Sequence, residues 1–118
     1  MRYYLGAMID LPSQGSAIQF RVIKDERLYP GFVIRVEEQA KGYLNVCPHM
    51  GLRLNGSSGN LLSREGTYIY CYSHGATFEP DSGLCVRGPC EGLSLIPIAI
   101  EQDNEKIFLV DEIYTFYD

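Results

Sequence analysis

Histidine, tryptophan and positive charge are all scarce in this sequence. It has no Trp and only two His, and its 10 Lys and Arg are outnumbered by 15 Asp and Glu, leaving a net charge of −5. A chain of that sign is repelled by phosphate backbones, which excludes nucleic acid as a partner and favours a positively charged protein surface. Long apolar runs are missing as well. No segment approaches the roughly 20 apolar residues of a membrane-spanning helix, and the opening "MRYYLGAMIDLPSQG" lacks the apolar stretch of a signal peptide. The expectation is a cytoplasmic chain with no membrane partner. Thiols stay reduced there, so the four cysteines are expected as ligands or core thiols rather than as disulfides.

Helical periodicity is also lacking, and no repeat or linker divides the chain, so residues 1–118 are expected to form one domain. What recurs is short runs rich in branched and aromatic residues, ended by turn residues, the pattern of an all-β fold. "SAIQFRVI" (16–23) and "GFVIRVEE" (31–38) are such runs. "GYLNVC" (42–47) follows "QAKG", which predicts a hairpin turning there. "TYIYC" (67–71) predicts another strand, "NGSSGN" (55–60) a loop and "EPDSG" (79–83) a turn. "LSLIPIAI" (93–100) and "KIFLV" (106–110) flank "EQDNE" as a further hairpin, with Pro97 marking an edge or a bulge. The tail "DEIYTFYD" has no placement from pattern alone.

Both histidines fall beside cysteines. The pattern is Cys47-x-His49, then residues 50–70, then Cys71-x-x-His74. Each pair lies where a predicted strand runs into a loop, so one rigid scaffold can hold all four near its tip. A single buried cysteine or histidine is more often an ordinary core residue than a ligand. Both histidines pairing with cysteines by chance is a poor account, and two thiolates with two imidazoles complete a metal site. Zinc takes Cys₂His₂, but fingers pair cysteine with cysteine and histidine with histidine. Here each loop supplies one of each, which suits a centre of two inequivalent irons, one held by cysteines and the other by histidines.

"CPHMG" followed by "CYSHGATFEPDSGLCVRGP" resembles the Rieske ferredoxin family. The resemblance extends beyond the ligands to Gly51, Gly75, the Phe78–Gly83 segment, Gly88-Pro89 and the Leu93–Ile100 run, and spans about Leu11 to Val110. It implies three stacked antiparallel sheets with a cluster-binding subdomain at one tip. It also implies one [2Fe–2S] cluster per chain, with Cys47 and Cys71 on the inner iron and His49 and His74 on the outer, solvent-facing one. In this resemblance the glycines let backbone approach the cluster, although ordinary turn glycines would look the same. Pro89 stands where a third loop covers the cluster, and a plain strand-ending turn would also explain it. Cys85 and Cys90 lie outside the motif and are expected to be two buried thiols, with Cys90 packed near the cluster without ligating it.

The ligand types set an expectation for redox poise. Two ferric ions, two sulfides and two thiolates sum to about zero charge, against roughly two more negative charges for an all-thiolate site. A less negative site accepts an electron more readily, which raises the potential. Members of the family that oxidise quinols resemble a pattern with a disulfide between the loops and Ser and Tyr hydroxyls on the cluster. This chain has Leu52 and Tyr72 at the disulfide positions, and Ala76 and Phe78 at the hydroxyl positions. A potential at the low end of the Rieske range, around −150 mV, is expected. That poise implies a soluble carrier, itself not an enzyme, taking electrons from a flavoprotein or ferredoxin reductase to a terminal oxygenase. No histidine remains for a mononuclear iron centre, so a complete oxygenase subunit is excluded. A small Rieske-like subunit of an assimilatory nitrite reductase and a zinc-stabilised interaction module are the alternatives.

Overall fold

The computed structural model describes residues 2–11, 17–48, 53–54, 61–62, 68–72 and 75–118. The elements run β1 (Tyr3–Ala7), a 3-10 turn (Met8–Asp10), β2 (Ala17–Lys24), β3 (Arg27–Val36), β4 (Gln39–Leu44), β5 (Ile69–Tyr70), β6 (Thr77–Phe78), β7 (Cys85–Arg87), β8 (Pro97–Ile98), β9 (Ile100–Asp103), β10 (Lys106–Leu109) and β11 (Thr115–Tyr117). They form three antiparallel sheets, ordered β1-β10-β9, β11-β2-β3-β4-β8 and β5-β6-β7. The all-β, three-sheet expectation holds.

The five-stranded sheet lies between the other two, because its central strands bury both faces. Phe32, Ile34 and Tyr43 pack with residues of β5, β6 and β7. Val33 on the opposite face packs with Met8 and Ile107, and Val22, Leu44 and Ile98 pack with Leu109. The near-continuous apolar run Phe32–Ile34 in β3 therefore reports a strand covered on both sides. Burying each such side chain contributes about 1.5–3 kcal/mol.

Hairpins set the register. β2 and β3 pair from Ala17↔Ile34 to Lys24↔Arg27, around Asp25 and Glu26, both at positive φ (51° and 66°). That is the backbone of a two-residue turn matched to strand twist. β3 and β4 pair from Gly31↔Leu44 to Val36↔Gln39. The turn is thus at Glu37–Glu38, not at "QAKG" as the sequence suggests, and Gln39–Lys41 belong to β4. The hairpin of β9 and β10 turns at Asn104–Glu105, within the expected "EQDNE". Pro97 sits on β8, the edge strand paired to β4, where its missing N–H costs no ladder bond. The tail supplies β11, the other edge strand, paired to β2 through Phe116↔Val22.

β4 and β8 are hydrogen-bonded neighbours, with Gly42 opposite Ile98 and the Leu44 N–H donating to the Ile96 carbonyl at 2.9 Å. The whole β5-β6-β7 sheet lies in the chain between them. Among the described residues no helix is long and apolar enough to cross a membrane.

Candidate metal centre

The first loop leaves the end of β4. Asn45 follows it, fully buried, with its N–H on the Pro30 carbonyl at 2.8 Å. Its side-chain Oδ1 accepts the Leu54 N–H at 2.8 Å, reaching across the loop that contains Cys47. Leu54 then bonds onward. Its carbonyl accepts the Tyr72 N–H at 2.8 Å. One buried amide thus ties the first loop to itself, and the next residue in the relay ties it to the second loop. Asn45 was not singled out from sequence. The available signal was a polar residue between Leu44 and Val46, at the end of an apolar strand and two positions before a cysteine.

The second loop begins where β5 ends. The Cys71 N–H donates to the Ala76 carbonyl at 2.8 Å, and the Gly75 N–H donates back to the Cys71 carbonyl at 2.9 Å. Those two bonds clamp the base of the loop. Tyr72 is partly exposed, and its hydroxyl donates to the Leu62 carbonyl at 2.6 Å. Ala76 and Phe78 are fully buried and bring no hydroxyl to the site.

A third segment packs on the second. Gly88, just past β7, has φ +102°, and a Cβ there would lie 2.8 Å from the Ala76 Cα. The glycine is therefore needed both for its backbone conformation and for the close approach to the loop that carries Cys71. The segment curls back through the Leu93 N–H to the Cys90 carbonyl (2.9 Å) and the Gly92 N–H to the Cys85 carbonyl (3.2 Å).

Cys47 and Cys71 are each 1% exposed and belong to one buried cluster with Ala76, Phe78, Cys85 and Cys90. The structure thus brings the two sequence-predicted cysteines into one core. His49 and His74, together with Gly51, Leu52 and the loop 55–60, lie outside the described residues. Among the described residues no group of three or more Cys, His, Asp or Glu side chains converges as a metal site. The two buried thiols match in chemistry and burial the inner half of the Cys₂His₂ set. All four cysteines are free thiols. Cys85 and Cys90 are both buried, with their sulfurs 3.0 Å apart, as the sequence led us to expect of two buried thiols. Burial pushes the Cys90 thiol up to about 12, and the neighbouring sulfurs of Cys85 and Cys47 push in the same direction.

Comparison with known proteins points one way. The sequence model of the Rieske [2Fe–2S] domain matches residues 1–99. That span starts before, and stops short of, the Leu11–Val110 stretch of the sequence resemblance. No curated protein matches the chain. Among solved structures, the terminal oxygenase of carbazole 1,9a-dioxygenase from Novosphingobium sp. KA1 superposes with a TM-score of 0.73 at 18% identity, covering 99% of this chain and 31% of that one. A chain from the complex of reduced oxygenase and oxidized ferredoxin in carbazole 1,9a-dioxygenase gives 0.68 at 24% identity, covering 92% of each. A quaternary ammonium Rieske monooxygenase gives 0.67 at 23% identity, covering 92% of this chain and 30% of that one. The chain therefore spans under a third of the two oxygenase chains and nearly all of the one from the complex. At these identities the likeness is one of fold.

Proposed function

We propose, for a chain that belongs to the Rieske [2Fe–2S] domain family, that residues 1–118 work as one electron-carrying unit, itself not an enzyme, between a reductase and a terminal oxygenase. Domains of this family bind a [2Fe–2S] cluster and transfer electrons through it. When bound, the cluster takes up and gives back single electrons. Cys47 and Cys71 would hold its inner iron, and His49 and His74 its outer one. The observation that carries this reading is the pair of buried thiols on two loops joined through Asn45, Leu54 and Tyr72.

The chain's own residues have distinct tasks here. The surrounding core keeps water from the two thiolates. The Asn45 amide and the bonds at the base of the Cys71 loop fix how far apart the loops stand. A ring N–H on His49 or His74 holds a proton whose affinity rises with negative charge on the site. Ala76 and Phe78 offer no hydroxyl, and the Tyr72 hydroxyl is engaged by the Leu62 carbonyl. That supports a potential near the low end of the Rieske range, about −150 mV. Such a poise fits electrons arriving from a flavoprotein or ferredoxin reductase. The oxygenase as acceptor is supported by the nearly end-to-end match with a chain from an oxygenase–ferredoxin complex, and by both histidines being committed to the proposed site. The four free cysteines fit a reducing setting, and the cytoplasm is the proposed one.

The test is a purified protein assayed for iron and acid-labile sulfide, then titrated for potential across pH. Equal iron and sulfide, and a potential that declines as pH passes the histidine value, are expected. His74→Cys adds a negative charge and should lower the potential while keeping some cluster. A colourless protein holding one zinc would overturn the reading, and a potential raised by His74→Cys would overturn the ligand assignment.

A further inference from the structure

We propose that Cys85 and Cys90 are a redox-sensitive thiol pair, converted by peroxide into a disulfide that clasps the third segment over the loop of Cys71.

The two residues lie five positions apart, and their sulfurs are already in contact: the Cys90 S–H donates to the Cys85 sulfur at 3.0 Å. Backbone bonds hold the pair facing each other. The Cys85 N–H donates to the Leu93 carbonyl at 2.8 Å, the Gly92 N–H to the Cys85 carbonyl at 3.2 Å and the Leu93 N–H to the Cys90 carbonyl at 2.9 Å. Joining the sulfurs therefore needs side-chain rotation and no rearrangement of the segment. The Cys85 thiol gives up its bond to the Arg87 carbonyl, 3.3 Å long, in the process.

Both cysteines are 1% exposed, yet they lie a single layer deep. Residues 86–89 and 91–94 are all exposed, so local opening of this short turn admits a small oxidant and leaves the sheets intact. Burial pushes the Cys90 thiol up to about 12, which leaves little thiolate near neutrality and makes the pair slow to react. In a reducing setting both residues thus rest as thiols, the state seen here. In the reaction two S–H bonds break and one S–S bond forms. The sulfurs lose two electrons and two protons, and the peroxide O–O bond takes them up and breaks to give two waters.

Gly88 lies inside the ring that the disulfide closes. A Cβ on it would sit 2.8 Å from the Ala76 Cα, so this ring presses directly on the loop that carries Cys71. Closing the ring removes freedom from the opened segment, and the cover over that loop opens less often. The thiol step needs no bound cluster. Its effect on iron does, and rests on Cys71 being a ligand.

The experiment treats the isolated protein with diamide, a thiol oxidant that takes up the same two electrons and two protons, then blocks free thiols and digests with trypsin. Peptides 65–87 and 88–106 should appear joined, with fragmentation placing the bond between Cys85 and Cys90. The oxidised protein should melt ~5 °C higher than the reduced one and lose iron to a chelator more slowly, and dithiothreitol should reverse both. Cys90→Ser should show neither the link nor the shift. If that variant fails to fold, wild type with and without dithiothreitol carries the comparison. Unlinked peptides after diamide, or a link from Cys90 to Cys47 or Cys71, would overturn the proposal, as would a correct link that leaves the melting temperature unmoved. A wild-type protein without iron and sulfide would instead sink the electron-carrier reading, and the linked peptides would still decide this one.

Discussion

Gly88 has no room for a side chain. At φ +102°, with the Ala76 backbone where a Cβ would project, Gly88→Ala combines left-handed strain with a clash against the loop of Cys71. Strain of this kind costs on the order of 1–3 kcal/mol. Because the clash falls on that loop, iron content per protein should drop together with the melting temperature. A variant that melts earlier but loads a full complement of iron would show that this contact does not shape the site. At this scale the two Cys/His pairs on which the ligand proposal rests stand out in the sequence, because histidine and cysteine are rare here and fall in matched pairs. The contact of Cys90 with Cys85 was not legible in detail, since it depends on how residues 88–93 curl back. Asn45 was missed because what distinguishes it is a bond to Leu54, nine positions away.

Hairpins were the most readable elements, since alternation and turn chemistry are local. The misplaced turn between β3 and β4 has a local cause. "KG" reads as a turn, but Gly42 lies within β4, where a Cβ would sit 2.6 Å from the Ile100 Cγ1. That glycine makes room for a neighbouring strand, and the chain reverses instead at Glu37, at φ 56°. The edge strands β1 and β11 escaped notice because their partners, β10 and β2, are distant in sequence. β11 is led into place by Asp111, whose carboxylate accepts the N–H groups of Ala99, Ile113 and Tyr114 at 2.8–2.9 Å. Burial alone would raise this carboxyl, but the three backbone donors outweigh it and hold it below the ordinary value. A value lower in the folded chain than in the unfolded one gives a stabilisation complete above about pH 4 and lost as pH falls through the depressed value. Asp111→Ala should speed amide exchange at Ala99, Ile113 and Tyr114 near neutrality, and its stability should converge on that of wild type in strong acid. A stability gap that stays constant with pH would mean the carboxylate charge contributes nothing.

Across the whole molecule, the three sheets depend on the site to different degrees. The buried cluster that contains Cys47 and Cys71 reaches the central sheet only through one face, at Phe32, Ile34 and Tyr43. The other face has its own clusters around Val33 and Leu44. A group that binds only the folded state stabilises what it touches. Removing the iron with chelator should therefore raise hydrogen exchange in β5, β6 and β7 while β2, β3, β4 and β10 stay protected. Simultaneous loss of protection in all three sheets would show instead that the protein folds as a single cooperative unit around its metal. The stacked architecture was legible only through the family resemblance, because no local pattern reveals which strands meet.

The adjacency of Leu44 and Ile96 has a practical corollary. Everything from residue 45 to residue 95 departs from and returns to neighbouring rungs of one ladder, like a cassette held at a single slot. Excising it and bridging the gap with a short reverse turn should leave a metal-free β scaffold. Transplanting it between adjacent antiparallel strands of an unrelated sheet should carry the redox chemistry along.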